Sequence, residues 1–380
     1  MSIENILTKP RDDGYQMPAE FEEHEATLMI WPYRRDIWRE DAKPVAKVFA
    51  EIAGVIAQYE TVIMCVPREE LETAVSYLPT KVQIWIMESD DSWMRDVGPI
   101  FVQHAEGDIR GIDFGFNAWG GEVDGLYTSY KHDNEIAQNV CRKLHSKWYR
   151  KRDFILEGGS IHVDGQGTAI VTRACLLSKG RNPDLSKEEI EEILIDYFGL
   201  EKIIWLPHGI YQDETNEHVD NICTFVKPGE VVLGWTDDSD HIQHVYCRSS
   251  LEILQSSVDA RGRELIIHKL PLPKTMTLSG VECSGITGVK GTKCRRKGDL
   301  LAGSYVNYYV CNHAVIMPGF GDVMDKRAKE IVESLYPDRD VIQVQTREVL
   351  LAGGNIHCIT KQIPIQKARK TILNESEILL

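Results

Sequence analysis

The chain has no run of eighteen apolar residues, so it offers no candidate for a membrane-spanning helix. Its first residues, MSIENILTKPRDDGY, hold no apolar segment of the kind a secretion signal needs, and a cytoplasmic location is expected. The nine cysteines are odd in number, form no C-x-x-C pair and follow no regular spacing. That argues against a disulfide framework or a structural zinc site, and fits buried thiols in a reducing compartment. Positive charge is in deficit: 43 Lys and Arg face 58 Asp and Glu, a net charge of −15. Such a balance disfavours nucleic acid and anionic membranes as partners, and it is compatible with a small cationic substrate. No Pro/Gly/Ser-rich linker divides the chain, so residues 1–380 read as one domain.

What is present is a repeated plan. Five stretches, Trp93–Val102, Leu156–Thr172, His218–Trp235, Ala302–Met317 and Ala352–Ile363, each begin with polar or glycine-rich residues and run into a strand pattern. In the middle three a turn and a second strand are also legible, as at Asp164-Gly165, a strong hairpin signal. Helical patterns lie between them: Val45, Val48, Phe49, Ile52, Val55 and Ile56 recur at spacings of three and four. Ser186 and Glu189 form a capping-box pattern that opens another helix. Strand–strand–helix–strand units repeated about five times predict an α/β fold with radial, propeller-like repetition. A doubly wound parallel sheet is the alternative, set aside because hairpins outnumber long crossovers.

A radial fold aims the leading ends of all units at one axial site. That brings together Asp96, Glu157, His218, Asp220 and Cys358. His218 and Asp220 are two apart in a predicted strand and so share a face. Cys358 follows Gly353 and Gly354 on a short apolar strand, and glycine lets backbone approach a ligand closely. Carboxylates sharing one pocket repel unless a cation lies between them, and a planar guanidinium matches their geometry bidentately. Trp93 is placed to stack on that plane. A thiolate at Cys358 would attack the guanidinium carbon, with His218 protonating the leaving nitrogen and then activating water. Each residue has a duller reading: Asp96 in a turn, Glu157 solvated, Asp220 on backbone, Cys358 a buried thiol, and His218 structural with His162 or His357 carrying the proton instead.

Six motifs then carry a resemblance: Trp93–Pro99 (WMRDVGP), Phe116–Gly121 (FNAWGG), Leu156–Gly159 (LEGG), Ser178–Pro183 (SKGRNP), Thr215–Asn221 (TNEHVDN) and Gly353–Thr360 (GGNIHCIT). Together they span nearly the whole chain, which resembles the agmatine deiminase family of the guanidine-modifying α/β-propeller superfamily. The resemblance implies a five-bladed, pseudo-symmetric propeller of ββαβ units around a central active site. It implies hydrolysis of agmatine to N-carbamoylputrescine and ammonia without cofactor or metal, in a homo-oligomer. It carries Cys358 over as nucleophile, His218 as general acid/base, Asp96 and Asp220 as guanidinium binders, and Glu157 as a further acidic partner. Agmatine has a second cation, for which Glu214 and Asp213 are the candidates by proximity in sequence. Ala352 departs from the family's longer glycine run; a positive φ there would strain it. Three other readings stand beside this one: a deiminase of arginine or peptidyl-arginine, a binding protein without turnover, and, ranked last, a metal hydrolase using His218, Asp220 and Cys358.

Overall fold

Burial of apolar strands between helices and neighbouring sheets organises the molecule, seen in a computed structural model that describes residues 5–367. Residues 1–4 and 368–380 of the expected domain lie outside the described residues. The first unit pairs Ile100–His104 antiparallel with Ile109–Gly115, crosses over through the helix Asp133–Lys143, and returns in Trp148–Ile155, parallel to Ile109–Gly115. The second repeats this with Ile161–Val163, Thr168–Thr172, the helix Lys187–Phe198 and Lys202–Leu206. The third uses Cys223–Lys227, Glu230–Trp235, Ile242–Gln255 and Ile266–Pro271. The fourth uses Tyr309–Cys311, Ala314–Gly319, Asp325–Leu335 and Asp340–Gln345. These are the expected ββαβ units of a five-bladed α/β propeller.

The fifth unit is assembled from both ends of the chain. Lys361–Pro364 pairs antiparallel with His24–Ile30, with Lys361 opposite Leu28 and Ile363 opposite Ala26. The helix Lys43–Ile56 then leads to Thr61–Val66, parallel to His24–Ile30. Closing the ring this way leaves no blade without neighbours, which is how radial folds protect strand edges. It also explains why the sequence pattern for this blade looked incomplete: its second strand precedes its first by almost the full chain.

Side-chain pattern follows from this layering. The helix Lys43–Ile56 buries Val45, Phe49, Ile52 and Ile56, while Val48 and Val55 flank the same core half-exposed. The helix Lys187–Phe198 starts at the predicted box, Ser186 and Glu189 satisfying each other's backbone donors, and stops at Gly199 with φ 65°. Hydrophobic clusters pack each helix on its own sheet and also join neighbouring blades. One joins Ile100 and Ile112 of the first blade to Ile161, Val171 and Leu194 of the second. The next joins Ile170 and Leu206 to Phe225 and Leu254, and the next Val232 to Val310, Val315 and Val332.

Two local expectations are corrected. Cys358 sits in a single helical turn, Ile356–Ile359, not on a strand, and the strand begins at Lys361. His218 precedes a 3₁₀ turn, Val219–Asn221, and the strand begins at Cys223, so it and Asp220 share no strand face. Equivalent turns, Met94–Val97 and Gly158–Ser160, open the first two blades. Short apolar runs such as Ile356–Ile359 fit a helical turn and a strand equally well by periodicity. The Asn355 side chain, accepting from the Ile356 N–H at 3.0 Å, favours the turn.

Ring closure rests on the core face of the last strand. Ile363 is 1% exposed and packs in the cluster that holds Leu28, Ile30 and Ile63. Ile363→Ala is expected to destabilise the protein by about 2–5 kcal/mol, read from the denaturant midpoint; a shift within error of zero would show that this strand contributes little to closure.

Candidate active site

The turns that open the blades bring their polar residues to one place. Cys358 Sγ lies 3.7 Å from Asp220 Oδ2, and the Asn307 amide donates to it at 3.3 Å. His218 Nδ1 is 3.9 Å from Asp96 Oδ1, and its Nε2 is 3.7 Å from Glu157 Oε2. Gly159 identifies the centre of the group. A Cβ on it would lie 2.6 Å from His218 Nδ1 and 2.9 Å from both Asp220 Oδ2 and Asp96 Oδ1. Two carboxylates and an imidazole nitrogen therefore converge on the face of a residue that has no side chain. The structure thus brings together all five residues expected at the axis, one or two from each of four blades.

The fourth blade adds Asn307, for which the sequence offered only its position at the leading end of the Ala302–Met317 stretch. Three other participants were equally unassigned. Gly159 both shapes the cradle and donates its N–H to Asp96 Oδ1 at 2.8 Å. Trp119 donates its indole N–H to Asp96 Oδ2 at 2.9 Å, aimed by left-handed backbone at Ala118 (φ 56°) and Trp119 (φ 62°). Arg181, buried, pairs through Nε with Glu157 Oε1 at 2.8 Å. It also donates to the Trp119 carbonyl, to Asn216 Oδ1 at 2.7 Å and to the Thr215 carbonyl at 2.8 Å. The signal for these lay in the LEGG, FNAWGG and SKGRNP motifs, where Gly159, Trp119 and Arg181 had no chemistry attached to them.

Burial drives the electrostatics. It pushes the Asp96 carboxyl up, with Asp220 and Glu157 adding to the push and His218 opposing it. Burial would raise Glu157 too, but Arg181 and His218 outweigh it and hold it at about 2. Asp220 ends below its ordinary value because His357, His218 and Arg95 outweigh burial. Burial opposes the His218 cation, yet the neighbouring Asp96, Cys175 and Glu157 raise it well above an ordinary histidine. The Cys358 thiol goes well up, through burial first and then the charges of Asp220 and Asp96. The site thus favours a thiol at Cys358 and an imidazolium at His218.

The second set of residues is more mixed. The Trp93 indole donates to Asp91 Oδ2 at 3.0 Å and is buried against Gly354, where a Cβ would meet the ring at 2.3 Å. Gly354 thus serves Trp93 rather than the ligand's backbone approach. Gly353 carries the left-handed conformation, φ 106°, and a Cβ there would lie 2.7 Å from Glu214 Oε2. Ala352 is not among the positive-φ residues, so the expected strain is absent; the glycine requirement falls one residue later. Glu214 lies above Gly353, but Arg295 grips it at 2.7 and 3.0 Å and Lys293 lies at 3.3 Å. Asp213 turns inward to accept from Thr215 and Asn221, a loop-fixing role.

The alternative proton carriers separate clearly. His162 accepts from the Phe225 N–H at 3.2 Å, and burial lowers it to about 4, so it is a neutral structural histidine. His357 lies between Asp220 and Glu20, behind the cradle. Two buried clusters have ligand-like spacing, Glu20 with His162 and His357, and Glu157 with Cys175 and His218. Each already contains an arginine paired with its carboxylate, Arg95 at 3.0 Å and Arg181 at 2.8 Å. A fixed guanidinium does there what a metal ion would do.

A family model for Porphyromonas-type peptidyl-arginine deiminase matches residues 16–364. An agmatine deiminase of Pseudomonas aeruginosa (strain LESB58) is 47% identical over 363 residues, covering 95% of this chain and 99% of that protein. One of Stutzerimonas stutzeri (strain A1501) is 46% identical over 360 residues, covering 94% and 98%. A solved structure of the agmatine deiminase of Enterococcus faecalis, described as catalyzing its reaction, is 44% identical with a TM-score of 0.93, covering 96% of this chain and 100% of that one. On this breadth of agreement, the chain belongs to the Porphyromonas-type peptidyl-arginine deiminase family, where it groups with the agmatine deiminases.

Proposed function

We propose that this chain hydrolyses agmatine to N-carbamoylputrescine and ammonia through a covalent adduct on Cys358. The observation that carries the reading is the convergence of Asp96 Oδ1, Asp220 Oδ2 and His218 Nδ1 on the open face of Gly159, beside Cys358. A guanidinium in that cradle faces carboxylates on two sides. Its charge offsets Asp96 and Asp220, the same charges that hold the Cys358 proton on, so substrate binding itself favours the thiolate. The thiolate adds to the guanidinium carbon. Protonated His218 donates to the departing nitrogen, the C–N bond breaks, and ammonia leaves a thiouronium adduct. Neutral His218 then takes a proton from water as that water attacks, and C–S cleavage returns the thiolate. Glu157, behind Nε2, steadies the ring in both states.

The far end of the substrate is where a second reading has support. Glu214 would meet the second cation of agmatine if Arg295 and Lys293 yield it. Arg295 would instead meet the carboxylate of free arginine, or a peptide carbonyl. Agmatine is preferred on the relatives named above, which are agmatine deiminases at 44–47% identity. Action in the cytoplasm as a homo-oligomer, supplying a putrescine precursor, belongs to the same proposal. Its support is the family resemblance, together with the lack, among the described residues, of any helix long and apolar enough to cross a membrane.

Ammonia release is expected from agmatine and to a much smaller extent from arginine or a peptidyl-arginine; the reverse order would overturn the substrate assignment. Cys358→Ser is expected to lower turnover by at least about a thousandfold, and undiminished release would overturn the covalent route. Gly159→Ala is expected to keep the fold, since φ there is not positive, while cutting kcat/KM at least about a hundredfold by filling the cradle. Wild-type kcat/KM in that variant would place the guanidinium elsewhere. Because Cys358 is raised, inactivation of free enzyme by iodoacetamide is expected to be slow at neutral pH and to quicken only as pH climbs beyond the ordinary thiol range. Fast inactivation at pH 7, followed as loss of activity, would show a thiolate already formed before substrate arrives.

A further inference from the structure

Behind the cradle, away from the substrate face, runs an unbroken line of buried charge. His357 Nδ1 is 2.8 Å from Asp220 Oδ2, and His357 Nε2 is 2.7 Å from Glu20 Oε2. Glu20 Oε2 is also 3.0 Å from an Arg95 guanidinium nitrogen, and Glu20 Oε1 accepts from the Val310 N–H at 3.0 Å. Arg95 in turn donates through Nε to the His357 carbonyl at 3.2 Å and through Nη1 to Gln362 Oε1 at 2.7 Å. The His357 N–H donates to Asn307 Oδ1 at 3.1 Å, the amide that also contacts Cys358. Asp220, His357, Arg95 and Glu20 are all buried.

The chemistry of the imidazole fixes the charge state of this line. A carboxylate accepts and does not donate, and His357 meets one at each ring nitrogen. Only the imidazolium can donate to both. The sequence Asp220, His357, Glu20, Arg95 then alternates minus, plus, minus, plus and sums to zero, which is how buried charges become tolerable. One end is the carboxylate that faces the cradle. The other is Arg95, paired with Glu20, which lies on the segment that precedes the five blades.

We propose that His357 and Glu20 are positioning residues for guanidinium recognition: His357, anchored by Glu20, holds Asp220 ionised and in the one orientation that faces Gly159. This rests on the functional reading above. Neither residue reaches the substrate; both act through Asp220. The other charged or titratable groups facing Asp220 are His218, Arg95, Asp96, Asp213, His162 and Cys358. Their contributions remain in a His357 variant.

The sign of the expected effect follows. Loss of the His357 cation raises the pH at which Asp220 ionises, and guanidinium binding needs Asp220 ionised. The acid limb of the kcat/KM–pH profile for agmatine therefore moves to higher pH in His357→Asn, and by less in Glu20→Gln. At neutral pH, kcat/KM falls about ten- to a hundredfold, mostly through KM. The double variant loses little more than His357→Asn alone, because both act through one carboxylate. A purely structural role would lower the melting temperature or the active fraction and leave the limb in place. Folded variants whose acid limb coincides with wild type, or whose losses multiply, would overturn the proposal. Should His357→Asn not fold, Glu20→Gln with an unmoved limb suffices to overturn it. A wild type inert towards agmatine would sink the functional reading instead. The positioning role is then judged on the pH dependence of methylguanidine binding to the same variants, where an unmoved limb is equally fatal.

Discussion

Everything at the axis answers one electrostatic constraint: four carboxylates, Glu20, Asp96, Glu157 and Asp220, are buried close together where water cannot screen them. Three have a cation in hydrogen-bond range. Glu157 has Arg181, Glu20 has Arg95, and Asp220 has His357. Among the described residues, Asp96 has only neutral donors at that distance, the Trp119 indole and the Gly159 N–H, with His218 farther away at 3.9 Å. The deficit lies on the substrate side of the cradle. In the proposed reaction a guanidinium supplies the missing partner, and burial together with the same uncompensated charge keeps Cys358 protonated until it arrives. On that proposal, recognition of the cation and activation of the thiol are one event.

The propeller makes this crowding affordable. Hydrophobic clusters bridge adjacent blades and anchor the opening turns, through Met94 and Ile356 among others, while those turns carry the polar residues. Each such turn is one helical revolution or less, stiffened by local contacts such as the Asn355 cap. Rigid supports of this kind hold reacting groups in place more closely than long loops do.

Much of this was legible because the fold repeats. Asp96, Glu157, His218, Asp220 and Cys358 stand at the same place in successive units, and repetition made their convergence more credible than any one residue did. What stayed hidden was of two kinds. Asn307, Arg181 and Glu20 are types that usually serve as ordinary loop or surface residues, and only three-dimensional pairing reveals their task. The local geometry also escaped: His218 and Asp220 come together through a 3₁₀ turn, and the strain foreseen at Ala352 dissolves because Gly353 takes the left-handed conformation. Glu214 was legible as an acid near the site, but its grip by Arg295 was not, since that arginine comes from the distant connection before the fourth blade.

The pairing of Lys361–Pro364 with His24–Ile30 sets an order on biosynthesis. Chains emerge from the ribosome amino end first, and domains fold as their parts appear. The strand at His24 is among the first segments made, and its partner among the last. Cys358 stands three positions before that partner, so the thiol is delivered to the carboxylates and His218 only as the ring shuts. A nascent or prematurely ended chain holds the acidic residues without Cys358, and the proposed chemistry begins only with the completed circle.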